Sequence, residues 1–210
     1  MLKASAVILA GGESRRIGGV KALIHLAGKP LITYVIEVAV KVFNDIVVVV
    51  GVDEQTKEFE GLLPHRVKVV RDLVRGEGPL VGILSGVGYV SSEYIAVLPC
   101  DSPFINPQVL SLLYERCQGS DAAIPRWPNG YLEPLHAFYK VQAVKSASTS
   151  AMKAGGCRVT DMVKRLNRVH YVDVKEVKRL DPDLLTFFNI NRMEDLKRAE
   201  RILLGASSTH

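Results

Sequence analysis

The loop that decides the fold, residues 9–21, reads Leu9-Ala10-Gly11-Gly12-Glu13-Ser14-Arg15-Arg16-Ile17-Gly18-Gly19-Val20-Lys21. It follows an apolar run of strand length, Ala4 to Leu9. Glycines without a Cβ let the backbone approach an anion closely, and arginine and lysine add positive charge for phosphate oxygens. The spacing fits neither the P-loop GxxxxGK(S/T) nor the dinucleotide motif GxGxxG. We therefore predict a triphosphate-binding loop of another kind, the alternative being an ordinary turn with solvated cations.

The rest of the chain alternates short apolar runs with longer segments of helical periodicity, which is typical of βαβ units and a mainly parallel sheet. The predicted strands are Ala4 to Leu9, Asp45 to Val50, Val67 to Arg71, Tyr94 to Pro99, Asp121 to Ile124, Leu135 to Tyr139 and Val169 to Val172. The predicted helices are Leu31 to Val42, Glu54 to Leu62, Leu80 to Val90, Pro107 to Cys117, Val141 to Ala154, Thr160 to Leu166 and Met193 to Leu204. Asn191 is the predicted N-cap of the last helix, with Glu194 at its third position.

Length and composition predict one compact domain, and the alternation of strands and helices makes it an α/β domain. The chain has 210 residues, of which 48% are hydrophobic and 23% charged. We assign residues 1–204 to the domain and residues 205–210 to a frayed tail. Its longest aliphatic run, Ile46 to Val50, is far shorter than the ~18 residues of a membrane span. Three cysteines without a CxxC motif argue against a disulfide framework or zinc site, so we expect a cytoplasmic protein.

The net charge of 27 − 22 = +5 is concentrated in one stretch, residues 151–180, which holds eight basic and three acidic residues. Such a stretch attracts nucleic acid, an anionic membrane or a phosphorylated small molecule. Aromatic residues that stack on unpaired bases are nearly missing there, so nucleic acid is the weakest of the three. The alternative is a solvated basic face.

Two further loops follow predicted strands, where ligands of open α/β sheets bind. Asp101 follows the strand Tyr94 to Pro99 and is the expected ligand of a nucleotide-bound Mg²⁺, although an aspartate before Ser-Pro is also a common turn former. Asp72 precedes a segment with glycine at positions 78, 82 and 86. That spacing gives a helix a slim face and an anion-binding N-terminus, and packing alone explains it equally well.

These loops together resemble the nucleotidyltransferases with a Rossmann-like sheet, and most closely the molybdenum cofactor guanylyltransferases of the MobA family. The resemblance covers essentially the whole chain and implies a three-layer fold like that of the nucleotide-diphospho-sugar transferases. The matching residues are Leu9-Ala10-Gly11-Gly12, Ser14, Arg16, Gly18, Lys21, Gly78-Pro79-Leu80, Gly82, Leu98-Pro99-Cys100-Asp101-Ser102-Pro103, Pro134-Leu135-His136 and Phe188-Asn189-Ile190-Asn191. The chain departs from the family at Val20, where aspartate is frequent, and at Val50-Gly51, where some members place a guanine-reading asparagine.

The resemblance implies Mg²⁺-dependent transfer of GMP from GTP to the terminal phosphate of Mo-molybdopterin, or its tungsten analogue, with release of pyrophosphate. Lys21, Arg16 and Asp101 would be catalytic, with Asp101 as the metal ligand. Asn189 and Asn191 would contact the acceptor or the metal, and His136 would need no role as a base and would be structural or contact the substrate. Independently of the resemblance, the basic excess of residues 151–180 makes Arg158 and Arg165 candidates for binding the acceptor phosphate. The nucleotide would be bound by Leu9, Ala10, Gly11, Gly12, Lys21, Asp72, Gly78 and Asp101.

Two other functions stay open. One is nucleotidyl transfer to another acceptor, such as cytidylylation of molybdopterin or the loading of a sugar or alcohol phosphate. The other is a nucleotide-binding carrier without catalysis, against which the presence of both Lys21 and Asp101 argues. We expect no nucleic-acid or membrane partner, and transient contacts with cofactor-delivery proteins or acceptor apoenzymes.

Overall fold

A computed structural model describes residues 1–11, 19–51, 56–72 and 78–205. The strands are β1 Ser5–Leu9, β2 His25–Leu26, β3 Lys29–Pro30, β4 Asp45–Val50, β5 Val67–Arg71, β6 Tyr94–Pro99, β7 Ala122–Arg126, β8 Ala137–Lys140 and β9 Val169–Asp173. The helices are α1 Leu31–Val42, α2 Thr56–Glu60, α3 Pro79–Gly86, α4 Pro107–Cys117, α5 Val141–Lys153, α6 Val159–Val163, α7 Val174–Lys178 and α8 Met193–Leu203.

The main sheet has seven strands in the order β5-β4-β1-β6-β8-β7-β9. All neighbouring pairs are parallel except those that include β8, which runs antiparallel to β6 and β7. The expected mainly parallel mixed sheet is thereby confirmed. Leu9 at the end of β1 pairs with Val49 on one side and Pro99 on the other, so three strands end at one edge.

Helices cover both faces of the sheet and make a three-layer fold. One apolar cluster joins α3, α5 and α6 to one face, and a second joins α1 and α4 to the other. Five consecutive residues of β4, residues 46–50, are buried, because a strand covered on both faces has no solvent side. In α1 the buried residues recur at helical spacing: Leu31, Ile32, Val35, Ile36, Ala39 and Val42.

The glycines of α3 are explained by packing. A Cβ on Gly86 would lie 2.4 Å from Val7 Cγ1, and one on Gly82 would lie 3.1 Å from Leu9 Cδ2. The helix therefore lies directly against β1, in agreement with the interpretation that the glycine spacing serves packing. The predicted end at Val90 is wrong. The helix stops at Gly86. The following turns have hydrogen bonds between residues three apart, from Gly88 N–H to Ser85 O and from Tyr89 N–H to Gly86 O.

A short hairpin and a short helix escaped prediction. The hairpin of β2 and β3 turns at Ala27 and Gly28, both at positive φ, and Ala-Gly is a weaker turn signal than Asn-Gly. Helix α7 follows β9 without a loop, and its N-cap is Asp173, whose side chain accepts a hydrogen bond from Lys175 N–H. Among the described residues there is no helix of the length and hydropathy needed to cross a bilayer. Residues 206–210, most of the predicted tail, lie outside the described residues.

Candidate active site

Residues that follow β1 and β6 lie side by side at the carboxyl edge of the sheet, where Cys100 N–H donates to Leu9 O, and Asp72 follows β5 at the same edge. Asp101 lies just beyond β6 and is only 8% exposed. The Nζ atom of Lys21 contacts its carboxylate and also donates to Asn191 Oδ1 at 2.7 Å. A cation, a carboxylate and an amide oxygen from three distant parts of the chain thus form one cluster, which we call the Lys21 cluster.

Asn191 does not cap the last helix, so that prediction was wrong. The N-cap of α8 is Arg192, and the carboxylate of Asp195 accepts the N–H groups of Asn191 at 2.9 Å and Arg192 at 2.8 Å. Because Asp195 satisfies these backbone donors from inside the helix, the Asn191 side chain is released to contact Lys21.

The start of the first loop is held against β4 by its backbone. The N–H groups of Ala10 and Gly11 both donate to Val49 O, at 2.8 and 3.1 Å, and Leu9 O accepts from Cys100 N–H. A Cβ on Gly11 would lie 2.9 Å from the backbone nitrogen of Gly51, so glycine is required for this approach. Two predicted phosphate-binding residues, Gly12 and Arg16, lie outside the described residues.

Asp72 and Gly78 flank the start of α3. Asp72 accepts a hydrogen bond from Ser85 Oγ at 2.6 Å, and its N–H donates to Val50 O. Gly78 has φ +80° and precedes Pro79, the first residue of the helix. Asp72 is therefore tied to α3 by its side chain and to β4 by its backbone, at the sheet edge where sequence reasoning expected it.

Two cavities are lined by described residues. The larger, 690 Å³, is lined by Gly78, Pro79, Pro134, Leu135, Gly155, Cys157, Arg158, Val159 and Thr160. The smaller, 390 Å³, is lined by Arg126, Trp127, Pro128, Gly130 and Asp173. Arg158, one of the two predicted acceptor-binding arginines, therefore borders a cavity. Arg165 is not among the described residues that line either one, and its guanidinium donates to Asp161 O at 2.7 Å.

Sequence reasoning missed the network behind the Lys21 cluster. His136 Nε2 lies 3.0 Å from Ser102 Oγ, and the Ser102 hydroxyl donates to Asn189 Oδ1. Burial lowers the pKa of His136 to about 4, so the ring is neutral at pH 7, in line with the expectation that it is not a base. All three residues lie in the quoted motifs, yet nothing local in the sequence indicates their contact.

The buried histidine predicts a pH-dependent stability. The unfolded chain takes up a proton on this residue below about pH 6.5, whereas the folded protein resists protonation until about pH 4. We expect this residue to lower the free energy of unfolding by about 3 kcal/mol as the pH falls through that window. Urea titrations at pH 7 and 4.5 measure the loss. If the His136→Gln protein loses as much stability between pH 7 and 4.5 as the wild type, the loss is due to other titratable groups.

A comparison of the sequence with protein-family models identifies the family of this chain. The family model described as MobA-like NTP transferase domain matches residues 6–169, which is most of the chain and includes Lys21 and Asp101. The chain belongs to the MobA-like NTP transferase family. As a member of that family it is a nucleotidyltransferase, and the Lys21 cluster lies in the part of the fold that the family model covers.

Individual proteins that align with nearly the whole chain agree with this family assignment. Two proteins named "Probable molybdenum cofactor guanylyltransferase" are similar to this MobA-like chain. The one from Methanosarcina mazei is 36% identical over 92% of the chain and 88% of its own length. The one from Pelotomaculum thermopropionicum is 35% identical over 100% of the chain and 97% of its own length. The crystal structure of molybdopterin-guanine dinucleotide biosynthesis protein A from Archaeoglobus fulgidus is also similar, with a TM-score of 0.81 and 32% identity over 96% of this chain and 99% of that one.

Proposed function

We propose that the protein transfers GMP from GTP to the terminal phosphate of Mo-molybdopterin, or its tungsten analogue, and forms the guanine dinucleotide cofactor. The observation that supports this most directly is the Lys21 cluster at the carboxyl edge of the sheet, in a chain whose relatives carry the guanylyltransferase name. Lys21 supplies the positive charge and Asp101 the carboxylate that transfer between two phosphates needs.

The reaction is a displacement at phosphorus. An oxygen of the acceptor phosphate forms a bond to the α-phosphorus of GTP, the bond to the bridging oxygen breaks, and pyrophosphate leaves with the electron pair. The acceptor phosphate is largely deprotonated at pH 7, so no protein base is needed. Positioning and positive charge, from Lys21 and from Arg16 in the first loop, then provide most of the rate enhancement.

The residues present fit a hard divalent cation such as Mg²⁺. The carboxylate of Asp101 and the amide oxygen of Asn191 are both oxygen ligands, and both contact one cationic atom, Lys21 Nζ. These two residues would supply only part of the coordination shell, and Mg²⁺ commonly completes its shell with water and substrate phosphate oxygens. When bound, Mg²⁺ would neutralise charge on the phosphates and orient them.

Backbone groups at the end of β1 would contact the nucleotide base. Leu9, Ala10 and Gly11 would line the base and ribose by their backbone. Because the N–H groups of Ala10 and Gly11 already donate to Val49 O, these two residues would do so through their carbonyl oxygens. Asp72 would contact the nucleoside from β5, and Gly12 and Gly78 would border the phosphates. Gly51 offers no side chain to read guanine, so cytidylyl transfer is the second candidate.

Rates of pyrophosphate release with different nucleotides test the function. With Mo-molybdopterin as acceptor, we expect release with GTP to be at least about 10-fold faster than with CTP or ATP. Release that is at least as fast with CTP would identify a cytidylyltransferase. Nucleotide binding without any pyrophosphate release would identify a non-catalytic carrier. We also propose a cytoplasmic protein, with cofactor-delivery proteins or acceptor apoenzymes as transient partners.

Arg158 is the basic residue best placed for the acceptor, because it borders the 690 Å³ cavity beside Gly78. We expect Arg158→Glu to raise KM for Mo-molybdopterin about 10-fold and to leave KM for GTP within about 2-fold, because Lys21 and the first loop, and not Arg158, would hold the nucleotide phosphates. The wild-type KM for the acceptor should also rise with salt.

Two variants in the same basic stretch sharpen this prediction. Lys178→Glu makes the same charge change on α7 and should have little effect. Arg165→Glu decides whether the sequence-based prediction for Arg165 holds. If all three substitutions raise KM for the acceptor equally, the basic stretch acts only through its overall charge. If none of them changes KM, the stretch is a solvated basic face.

A further inference from the structure

The network behind the Lys21 cluster runs through three side chains. His136 is buried immediately before β8, and Ser102 is buried immediately after Asp101. His136 Nε2 lies 3.0 Å from Ser102 Oγ, whose hydroxyl donates to Asn189 Oδ1. Asn189 is only partly buried and lies two residues before Asn191, which binds Lys21. A buried ring thus reaches the edge of the active site through one hydroxyl group.

Proton accounting assigns the tautomer of the ring. Ser102 has one hydroxyl hydrogen and gives it to Asn189 Oδ1, so its oxygen accepts a hydrogen bond from His136. Because the ring is neutral and has a single N–H, that hydrogen is on Nε2. The buried Nδ1 atom has no hydrogen-bond partner among the described residues. With the opposite order of donors, Nδ1 would carry a buried N–H without an acceptor, which proteins rarely tolerate.

The backbone around Asn189 is fixed independently of this network. Ile190 N–H donates to Asp101 O at 3.0 Å, and the Ile190 side chain is fully buried. The Phe187 ring meets the His136 ring edge-on at 5.6 Å between centroids. These contacts hold the segment in place, but none of them determines which end of the Asn189 amide faces Ser102. That choice depends on the hydroxyl hydrogen.

We propose that His136 is a positioning residue, which acts through Ser102 to hold the Asn189 amide with its NH2 group available to a phosphate oxygen of the substrate. The side-chain hydrogen bond that Asn189 makes to another described residue is the one its Oδ1 atom accepts from Ser102, and its NH2 group donates to none of the described residues. Asn189 then offers a donor to an anion, while Asn191 offers an acceptor to the Lys21 cation. The identity of the anion as a phosphate rests on the proposed function.

The tautomer can be measured without substrate. Two-bond ¹H–¹⁵N correlation spectra of protein labelled at histidine should show His136 at pH 7 as a neutral ring protonated on Nε2. The chain has five histidines, so the signal is assigned by its absence in His136→Gln. A ring protonated on Nδ1, or on both nitrogens, would overturn the proposal. This measurement stands even if the wild-type protein releases no pyrophosphate with any nucleotide, an outcome that would defeat the proposed function alone.

Two substitutions of matched polarity separate positioning from packing. The terminal amide of Gln reaches the place of Nε2, whereas that of Asn reaches only the place of Nδ1. We expect His136→Gln to keep kcat/KM for the acceptor within about 3-fold and His136→Asn to lower it at least about 10-fold, the effect of losing one hydrogen bond to a charged group. Both are compared at pH 7 after circular dichroism shows a folded protein. Equal losses in the two variants would mean that His136 only fills space.

A double-variant cycle tests whether Ser102 transmits the effect. Ser102→Ala should lower kcat/KM as much as His136→Asn, and the two together should lower it no further, because both break one relay. Losses that multiply would show that the two residues act independently and would contradict the proposal. KM for the acceptor serves as the second readout and should rise in both variants, since a general loss of folded enzyme would lower the apparent kcat and leave KM unchanged.

Discussion

Replacing Lys21 by alanine is expected to lower the turnover number at least about 100-fold. Its Nζ atom contacts the Asp101 carboxylate and Asn191 Oδ1 and is the one cation of the first loop that the described residues include. Negative charge grows on the leaving pyrophosphate during transfer, and a fixed charge or donor at such a point typically contributes about 2.7–4 kcal/mol. Initial rates of pyrophosphate release at saturating GTP and acceptor measure the effect.

The matched control is Lys29→Ala. Lys29 also forms an ion pair, with Glu37 at 2.8 Å, but on the exposed side of α1. Its loss should change turnover less than about 2-fold, because exposed ion pairs contribute little. Lys21→Ala leaves a carboxylate that is 8% exposed without its cation, so circular dichroism must show that the variant is folded. Near-normal turnover in folded Lys21→Ala would remove this lysine from the mechanism.

Asp101→Asn is expected to keep the fold and to lose metal-dependent pyrophosphate release, again by at least about 100-fold. Asparagine has nearly the same volume, and the backbone bond from Ile190 N–H to Asp101 O does not depend on the side chain. An amide cannot neutralise a divalent cation, so metal affinity should fall. Titration with Mn²⁺ in the presence of GTP, followed by electron paramagnetic resonance, measures that affinity directly.

Asp183→Asn is the control for this substitution, because it removes one exposed carboxylate outside the Lys21 cluster. It should behave as the wild type in both assays. Full activity of the wild type in EDTA would exclude a metal role for Asp101. Unchanged Mn²⁺ affinity of Asp101→Asn would move the metal site elsewhere, even if turnover fell.

The sheet, and the edge of the sheet at which Lys21 and Asp101 lie, could be predicted from the sequence. Runs such as Ile46 to Val50 are apolar on both faces, so they must be buried between two layers, and the helical segments between them provide those layers. The loops after β1 and β6 then meet because neighbouring parallel strands end at one edge, which brings Lys21 to Asp101. Element ends were less accurate, as the early end of α3 illustrates.

The identity of each side chain's partner was decided only by the tertiary structure. The local sequence predicted Asn191 as a helix cap. In the structure Asp195 accepts the Asn191 N–H group, and the Asn191 side chain binds Lys21, 170 positions away. Ser102 joins His136, 34 positions away, to Asn189, 87 positions away. Periodicity and capping patterns report contacts within about four residues, because they follow the repeat of one helix or strand. A contact between distant segments depends on how whole elements pack, so the sequence determined the scaffold and the chemical groups at its edge, and the packed chain determined how those groups are paired and oriented.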